Sequence, residues 1–250
     1  MTTDQPNPNP TTLAIITGAS RGIGAGIAAA AAGDGALVAA CNRSASDLAD
    51  HLTADLGDPA AWPVFAEWLD ELVDARQPDR IVFVHNAATL TPIGFAGEVD
   101  PAGYRTNVLL NSAAPQVLGD AAIRTARRTN TPMVLVQLSS GAGKNPYPGW
   151  TSYCASKAAV DMWVRSVGVE QAERQELVRA LAISPGVVAT EMQAEIRSSD
   201  EEAFPNVERF RGMHDEGALA EPGEVGAKIW AIANSTSWEN GTVGDLSLLD

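Results

Sequence analysis

Tyr153 and Lys157 stand four residues apart, a spacing that places both side chains on one face of a helix. A phenol has a reference pKa of about 10, and a nearby ammonium group favours its ionised form. The pair could therefore give and take a proton near neutral pH. Ser139 and Ser140 end an apolar run ahead of this helix, and a hydroxyl there could bond a carbonyl oxygen. These residues predict proton transfer at a carbonyl group, although serines at a strand end also form simple turns.

A glycine-rich segment lies near the start of the chain. Residues 17–24 read Thr-Gly-Ala-Ser-Arg-Gly-Ile-Gly, between a run that predicts a strand and a run that predicts a helix. Glycines let the backbone turn tightly beside a pyrophosphate, and free N–H groups at a helix start bind its charge. The spacing Gly-x3-Gly-x-Gly differs from the Gly-x-Gly-x2-Gly fingerprint. The segment predicts a phosphate cradle made by Gly18, Ser20, Arg21, Gly22, Ile23 and Gly24.

The end of the second predicted strand indicates which dinucleotide binds. An NAD site carries Asp or Glu there to bond the ribose 2′-hydroxyl, but residues 40–44 read Ala-Cys-Asn-Arg-Ser. Arg43 and Arg21 could instead bind a 2′-phosphate. The missing acid and the two cations predict NADP(H), with two merely exposed arginines as the alternative. Asp55 could bond the adenine amine, residues 85–88 would lie along the ribose, and the other candidate contacts are Asn42, Leu56, Asn86 and Ala87.

The elements that must position these residues alternate along the chain. Short apolar runs predict strands at residues 13–17, 36–40, 80–84, 133–138, 178–184 and 242–246, with a weaker one at 51–54. Helical patterns lie between them at residues 23–32, 59–75, 103–128 and 152–173. In the last helix, Val160, Trp163, Val164 and Val167 share one face. This alternation predicts a doubly wound α/β fold, a parallel sheet with helices on both faces.

Residues 12–250 show no linker, internal repeat or change of composition, which predicts one domain. Residues 1–11 contain prolines and polar residues without the basic-then-apolar pattern of a signal peptide, and predict a disordered leader. Residues 191–221 are charged and irregular. A long insertion of this kind predicts a mobile lid over the substrate, with a solvated surface loop as the alternative.

The charge and cysteine content exclude several classes of partner. The 250 residues carry 31 acidic and 17 basic side chains, a net charge of −14, which disfavours binding to the phosphates of nucleic acids. Apolar runs stay short of the roughly 20 residues that cross a bilayer. Two cysteines cannot build a disulfide framework, which indicates a reducing compartment. We expect a cytoplasmic enzyme without a metal ion and without nucleic-acid or membrane partners.

Four motifs in a fixed order resemble the short-chain dehydrogenase/reductase family. They are the glycine-rich segment, His-Asn-Ala-Ala at residues 85–88, Ser-x12-Tyr-x3-Lys, and Pro-Gly-x3-Thr at residues 185–190. The resemblance covers residues 12–250 and implies a seven-stranded Rossmann fold. One departure is His-Asn-Ala-Ala in place of the family's Asn-Asn-Ala-Gly, which touches strand packing and the ribose pocket rather than the proton chemistry.

The resemblance also implies roles for individual residues. Tyr153 would be the acid and base, Lys157 its modulator, and Ser140 the group that orients the carbonyl. An asparagine would carry a proton-relay water, with Asn111 as the better candidate and Asn107 as the alternative.

The same resemblance implies contacts to the cofactor and between subunits. Pro185, Gly186, Val188 and Thr190 would surround the nicotinamide, with Val188 at its carboxamide. A homodimer or homotetramer would pack through helices 103–128 and 152–173.

More particular segments are similar to the branch that includes bacterial benzil reductases and sepiapterin reductases. The segments are residues 111–115, 139–150 and 185–193. Enzymes of this branch use NADPH to reduce one carbonyl of a vicinal dicarbonyl, and the likeness to the benzil side, which forms (S)-benzoin, is greater. Tyr147, Trp150 and Met192 would then line an apolar pocket, although Trp150 could instead brace the catalytic helix. Asp245 stands where sepiapterin reductases anchor the pterin, or is simply a polar residue of the last strand.

The resemblance thus implies an NADPH-dependent reductase of a small carbonyl substrate, of the benzil type. Two other reductases remain open, a sepiapterin-type and a 3-oxoacyl-type enzyme, although this acidic chain offers little docking surface for an acyl carrier. A rival of another class is an NADPH-binding sensor without catalysis. Such a sensor has no need of Tyr153, which favours the enzyme.

Overall fold

The computed structural model describes residues 11–174 and 177–246, and at its centre lies a parallel sheet of seven strands. Across the sheet the strand order is β3-β2-β1-β4-β5-β6-β7. The strands are Thr12–Thr17 (β1), Leu37–Asn42 (β2), Asp50–Thr53 (β3), Arg80–His85 (β4), Met133–Leu138 (β5), Val178–Ser184 (β6) and Val243–Asp245 (β7). The predicted seven-stranded doubly wound sheet is confirmed, with strand ends shifted by at most two residues.

Helices cover both faces of this sheet. Within the described residues they are Gly22–Gly33 (α1), Ala61–Arg76 (α2), Pro101–Val108 (α3), Ala114–Thr129 (α4), Thr151–Arg174 (α5), Glu191–Arg197 (α6), Val207–Asp215 (α7) and Pro222–Asn234 (α8). One core lies between the sheet and α1 and α8, and a second between the sheet and α2, α4 and α5. Because both faces are covered, central strands such as β1 and β4 contain near-continuous apolar runs, at residues 13–16 and 81–84.

Alternate residues of each strand serve the two cores. In β1, Leu13 and Ile15 enter the core under α2, α4 and α5, whereas Ala14 and Ile16 enter the core under α1 and α8. On α5, Val160, Val164 and Val167 are buried, as the helical spacing predicted, and Trp163 packs partly buried against the same core. This packing fixes how α5 is rotated about its axis, and therefore where Tyr153 and Lys157 point.

The helix predicted at residues 103–128 has a different form. It begins earlier, at Pro101, because Asp100 caps it by accepting a hydrogen bond from the Gly103 N–H at 2.7 Å. Between α3 and α4 the chain makes a π-helical turn at Leu109–Ala113, which contains Asn111. Turns of this kind are rare and often lie at functional sites.

The segment 191–221 is more regular than predicted, since α6 and α7 occupy about half of it. Its apolar side chains form a third core with Trp150 and other residues; they are Ile196, Phe204, Val207 and Phe210. The many charged residues of the segment made this apolar pattern hard to recognise in the sequence. Residues 1–10 of the predicted leader lie outside the described residues. Thr11, its last residue, donates its N–H to the Asp79 side chain at 2.8 Å.

Candidate active site

A cleft of about 1140 Å³ opens at the carboxyl ends of the central strands. It lies where the strand order reverses between β1 and β4, the position at which open α/β sheets bind ligands. Most of the predicted cofactor residues line it, together with the predicted acid and base. These lining residues are Gly18, Ser20, Arg21, Gly22, Ile23, Asn42, Arg43, Asp55, Leu56, Asn86, Ala87, Tyr153, Lys157, Pro185, Thr190 and Met192.

Tyr153 and Lys157 lie side by side in the first turns of α5, and both are buried. The Lys157 Nζ lies 5.5 Å from the centre of the Tyr153 ring. It donates a hydrogen bond of 2.7 Å to the main-chain oxygen of Leu138, the last residue of β5. The strand thus holds the lysine beside the tyrosine.

The two serines after β5 point in different directions. The Ser140 hydroxyl lies near the Tyr153 hydroxyl and lowers its pKa, and it accepts from the Ala142 N–H at 3.2 Å. The Ser139 hydroxyl instead donates to the carboxylate of Asp161 at 2.5 Å. Ser139 lines the cleft and Ser140 does not, so it is proximity to Tyr153 that makes Ser140 the candidate to meet a substrate oxygen.

Burial controls the acidity of this group. It raises the pKa of Tyr153 to about 12, against the lowering effect of the hydrogen bond from Ser140. Burial also lowers the pKa of Lys157 to about 8, against the raising effect of the Asp161 charge. The sequence predicted that the lysine would bring the tyrosine towards ionisation at neutral pH. In the protein alone burial acts in the opposite direction, because loss of water around the phenol disfavours its ionised form.

Asn111 and Asn107 are buried on successive turns and are bonded to each other, Asn111 Nδ2 donating to Asn107 Oδ1 at 3.0 Å. The Asn111 amide also accepts from the Thr89 N–H at 3.0 Å and donates to the Thr89 oxygen at 2.6 Å. Asn107 donates to the oxygens of Leu90 and Thr91. Both asparagine side chains therefore bind the chain that follows β4 rather than Tyr153.

The glycine-rich segment makes a tight cradle. Gly18 adopts a left-handed φ of +69°, and a Cβ there would come within 2.9 Å of Asn86 Nδ2. A Cβ on Gly24 would collide with the main-chain oxygen of Gly18, so both positions require glycine. Asn86 donates to the oxygens of Thr17 and Gly18 at 3.1 and 2.9 Å. Asn86 thus lies along the cleft and also fixes the cradle.

The end of the cleft away from Tyr153 carries the residues that are predicted to select NADP(H) over NAD(H). Asn42 is buried and accepts from the Ala19 N–H at 2.7 Å, while its Nδ2 is buried without a hydrogen-bond partner. The exposed Arg43 follows it at the cleft wall. Arg21 also lines the cleft but forms an exposed ion pair with Glu191, the first residue of α6.

His85 does not lie along the ribose, contrary to the expectation for residues 85–88. It is the last residue of β4, it is buried, and its ring meets the edge of the Phe83 ring at 6.5 Å. Burial, with the charge of Lys157, lowers its pKa to about 3. His85 is therefore a neutral core residue.

The segment after β6 reaches the cleft through Pro185 and Thr190. Thr190 also caps α6, its hydroxyl accepting from the Gln193 N–H at 3.4 Å. The Val188 side chain packs in the core under α1 and α8, so only its main chain remains for the predicted contact to a carboxamide.

The candidate substrate residues separate into two groups. Met192 lines the cleft. Trp150 is buried and stacks flat on Phe204 at 4.4 Å, while Tyr147 lies 5.0 Å from it. Trp150 also meets Tyr153 edge-on at 6.0 Å. It therefore braces the start of α5, as the alternative interpretation held, and it does not line the cleft.

Asp245 lies in β7 opposite Ser184 and is not among the residues that line the cleft. Within residues 11–174 and 177–246, no three His, Cys, Asp or Glu side chains are grouped as a metal site would require. The same part of the chain contains no helix with the length and apolar character needed to span a membrane.

Residues 12–201 match the family model described as "short chain dehydrogenase". The chain belongs to this family. The protein is therefore an oxidoreductase. Enzymes of this family bind a nicotinamide cofactor and act on small-molecule substrates.

Individual relatives match this short-chain dehydrogenase over nearly its whole length. A benzil reductase ((S)-benzoin forming) from Bacillus subtilis (strain 168) is 35% identical over 238 residues, 94% of this chain and 98% of the relative. A sepiapterin reductase from Rattus norvegicus is 27% identical, covering 92% of this chain and 94% of the relative. The crystal structure of the KRED1-Pglu enzyme superposes with a TM-score of 0.82 at 27% identity, covering 94% of this chain and 100% of that one.

Sequence reasoning missed three features of the short-chain dehydrogenase site. Phe204 and Phe210, which pack on Trp150, were hidden in a charged segment. Asp161 was overlooked although it stands four residues after Lys157, a spacing that could have revealed it. The bond between Ser139 and Asp161 joins residues far apart in the sequence and had no local signal.

Proposed function

We propose that this enzyme is an NADPH-dependent carbonyl reductase that reduces one carbonyl of a vicinal diketone of the benzil type. The observation that carries the proposal is the meeting of Tyr153, Ser140 and Lys157 beside a dinucleotide-sized cleft. Likeness to the benzil reductase of Bacillus subtilis supports the choice of substrate.

The residues of the cleft fit a nicotinamide dinucleotide. Neighbouring parts of the chain pack so closely on Gly18 and Gly24 that neither position has room for a side chain. The tight turn of a pyrophosphate cradle requires such packing. The unpartnered Nδ2 of Asn42 is a buried donor at the cleft wall, and a bound ligand would satisfy it. Arg43, without a carboxylate at the end of β2, favours a 2′-phosphate and hence NADP(H).

When bound, the cofactor supplies the hydride to the carbonyl carbon. Tyr153 supplies the proton to the carbonyl oxygen, and its raised pKa keeps the hydroxyl protonated at neutral pH, as a proton donor requires. Ser140 orients the same oxygen by hydrogen bonding. The ammonium of Lys157 stabilises the tyrosinate that remains, since an opposite charge nearby favours the ionised phenol.

Asn111 contributes through the π-helical turn at Leu109–Ala113. Its side chain is bonded to Thr89, so a relay water would bind main-chain oxygens of this turn rather than the Asn111 amide. Asn111 therefore stabilises the π-helical turn, and the main-chain oxygens of that turn bind the relay water.

Residues 191–221 would cover the substrate. Met192 gives the cleft an apolar wall, which suits an aryl group. The ion pair between Arg21 and Glu191 joins α6 to the glycine-rich segment across the cleft, and exposed pairs of this kind break at little cost. The segment thus acts as a lid that opens with this pair.

A sepiapterin-type reductase is the second candidate, since the rat sepiapterin reductase matches over nearly the whole chain. Asp245, the residue that would anchor a pterin, does not line the cleft. The diketone is favoured by the higher identity to the benzil reductase, 35% against 27% for the sepiapterin reductase.

The test is to follow NADPH absorbance with the purified protein against benzil, a monoketone, sepiapterin and an acetoacetyl thioester, and to repeat each with NADH. We expect fast oxidation of NADPH with benzil and little with the monoketone or with NADH. Turnover of sepiapterin or of the thioester alone would overturn the diketone assignment. Binding of NADPH without turnover of any substrate would favour the sensor.

A further inference from the structure

Three consecutive residues, the last of β5 and the two that follow it, each interact with one residue of α5. The pairs are Leu138 with Lys157, Ser139 with Asp161, and Ser140 with Tyr153. The three α5 residues are spaced by four and therefore share one helix face. Two of the pairs belong to the proposed proton chemistry, and the third, formed by Ser139 and Asp161, has no place in it so far.

Asp161 is an unusual residue for this position because it is 2% exposed. Burying a carboxylate is costly unless hydrogen bonds and opposite charges compensate. Here the Ser139 hydroxyl donates to it at 2.5 Å, and Arg165, Lys144 and Lys157 contribute positive charge around it. The hydrogen bond and the positive charges offset the cost of burying the carboxylate, and they fix the orientation of the Asp161 side chain.

We propose that Asp161 is a positioning residue for the proposed reduction: it holds Ser139, and through it the adjacent Ser140, against Tyr153, and it keeps the ammonium of Lys157 charged. The role of Asp161 in reduction rests on the proposed function. The effect of Asp161 on the pKa of Lys157 can be measured whether or not the protein is a diketone reductase.

Because Lys157 is buried, its ammonium group needs a nearby negative charge to remain protonated. Burial lowers the pKa of Lys157 to about 8, and Asp161 is the neighbour that raises it. From the sheet, the charged form of His85 would oppose Lys157, but burial keeps His85 neutral near pH 7 by lowering its pKa to about 3. On α5 itself, Tyr153 is also neutral at this pH, since its pKa is raised to about 12. The negative charge beside the lysine therefore comes from Asp161.

The space around Asp161 determines which variant is informative. A Cβ on Gly143 would lie 2.9 Å from Asp161 Oδ2, so the turn Gly141–Gly143 packs directly on the carboxylate. A longer glutamate does not fit there. Asp161→Asn keeps the volume and an oxygen that can accept from Ser139, and it removes the charge.

The first arm of the test measures the titration of Lys157 directly. The chain contains three lysines, Lys144, Lys157 and Lys228, so lysine labelled with ¹³C at Cε gives a small set of NMR signals. A Lys157→Arg variant identifies the signal of interest. In Asp161→Asn we expect the midpoint of Lys157 to fall by about one pH unit, as expected for loss of a nearby opposite charge.

The matched control is Glu170→Gln, which removes an exposed carboxylate from the same helix and should leave the Lys157 midpoint unchanged. An unchanged midpoint in Asp161→Asn would overturn the electrostatic role of Asp161. A wild-type protein that titrates as described but reduces no diketone would overturn the proposed function and leave the effect of Asp161 on Lys157 standing.

The second arm tests positioning with Ser139→Ala, which removes the hydrogen bond and keeps the Asp161 charge. We expect kcat for benzil to fall about tenfold, since small misplacements of reacting groups are costly. KM should be unchanged, and the Lys157 midpoint should not fall. A wild-type kcat in Ser139→Ala would overturn the positioning role, and this arm decides it even if Asp161→Asn does not fold.

Discussion

At the scale of single residues, burial determines the chemistry of the site. Tyr153 and Lys157 lie in the interior, where the neutral form of each is favoured, and their pKa values move apart, that of Tyr153 to about 12 and that of Lys157 to about 8. A protonated tyrosine is what a reductase needs before it donates, and a charged lysine is what it needs afterwards. A neighbouring acid, Asp161, supports the lysine.

Replacing Tyr153 by phenylalanine should remove the proton donor and leave the packing of the ring unchanged. We expect kcat with benzil to fall about a thousandfold, within the range for loss of a general acid. NADPH binding, followed by the fluorescence of the nicotinamide, should change little. A Tyr153→Phe protein with wild-type turnover would show that the proton comes from elsewhere.

Arg43 is expected to select the cofactor. In Arg43→Ala, loss of charge-assisted hydrogen bonds to a 2′-phosphate should lower kcat/KM for NADPH about tenfold to a hundredfold. Turnover with NADH should stay the same or rise, and the ratio of kcat/KM for the two cofactors measures the effect. Arg124→Ala, at an exposed arginine of α4 that pairs with Asp120, is the control. Equal losses with NADPH and NADH would contradict a role in selection.

His85 should make the protein sensitive to acid. Its pKa is lowered to about 3 in the fold from an ordinary value of 6.5, so between these values the unfolded chain binds a proton that the native protein does not. The free energy of unfolding therefore falls as the pH falls through this window, by up to about 5 kcal/mol.

Urea unfolding at a series of pH values from 7 to 4 checks the prediction for His85. The His85→Gln variant should lose most of the dependence attributed to this residue, whereas His214→Gln, at the exposed end of α7, should keep it. A His85→Gln protein with the wild-type pH dependence would assign the effect to other groups.

At the scale of elements, the third core connects the proposed lid, residues 191–221, to α5. Phe204, between α6 and α7, stacks on Trp150 at 4.4 Å, and Trp150 meets the edge of Tyr153 at 6.0 Å. The lid segment is thus anchored by a fully buried aromatic ring. Its outer end meets the glycine-rich segment through the exposed ion pair of Arg21 and Glu191. We infer that opening is confined to the outer end, because the inner end is held by packing.

Phe204→Ala should therefore destabilise the protein by about 3 kcal/mol or more, as large-to-small changes in a core do. It should also lower kcat, since the brace on Tyr153 loosens. Thermal and urea unfolding measure the first effect, and the NADPH assay measures the second. Phe95→Ala, at a partly exposed phenylalanine, is the control and should change stability little. A Phe204→Ala protein as stable as wild type would contradict the anchoring role.

At the scale of the whole molecule, the outer surfaces of α4 and α5 carry exposed apolar side chains. Met162 and Val169 on α5 are 59% and 61% exposed, and Val117 on α4 is 39% exposed. Apolar side chains clustered on neighbouring helices mark interaction surfaces. This placement supports the homodimer or homotetramer that the family resemblance implied through these same helices.

We propose that the protein is an oligomer through α4 and α5. Met162→Glu combined with Val169→Glu should then dissociate it, because charged side chains at the centre of an interface are strongly unfavourable. Sedimentation equilibrium at one protein concentration measures the change of mass. Val64→Glu, at a comparably exposed valine of α2, should leave the mass unchanged. Dissociation by Val64→Glu and not by the α5 variant would place the interface elsewhere.

The sequence alone determined the architecture and most of the cleft. Unbroken apolar runs such as residues 81–84 of β4 predict strands that are covered on both faces. The glycines at 18 and 24, Arg43 and the spacing of Tyr153 and Lys157 are local patterns. Parallel strands bring the residues at their carboxyl ends to one edge of the sheet, so such patterns meet there once the fold is known.

The finer features of the site depend on contacts between distant parts of the chain. The pKa of Tyr153 depends on how much water the surrounding chain excludes, which no local spacing reveals. Trp150 braces α5 because Phe204, far along the chain, stacks on it. Asp161 meets Ser139 across the gap between α5 and β5. In each case the partner is distant in sequence, and packing rather than local propensity selected it.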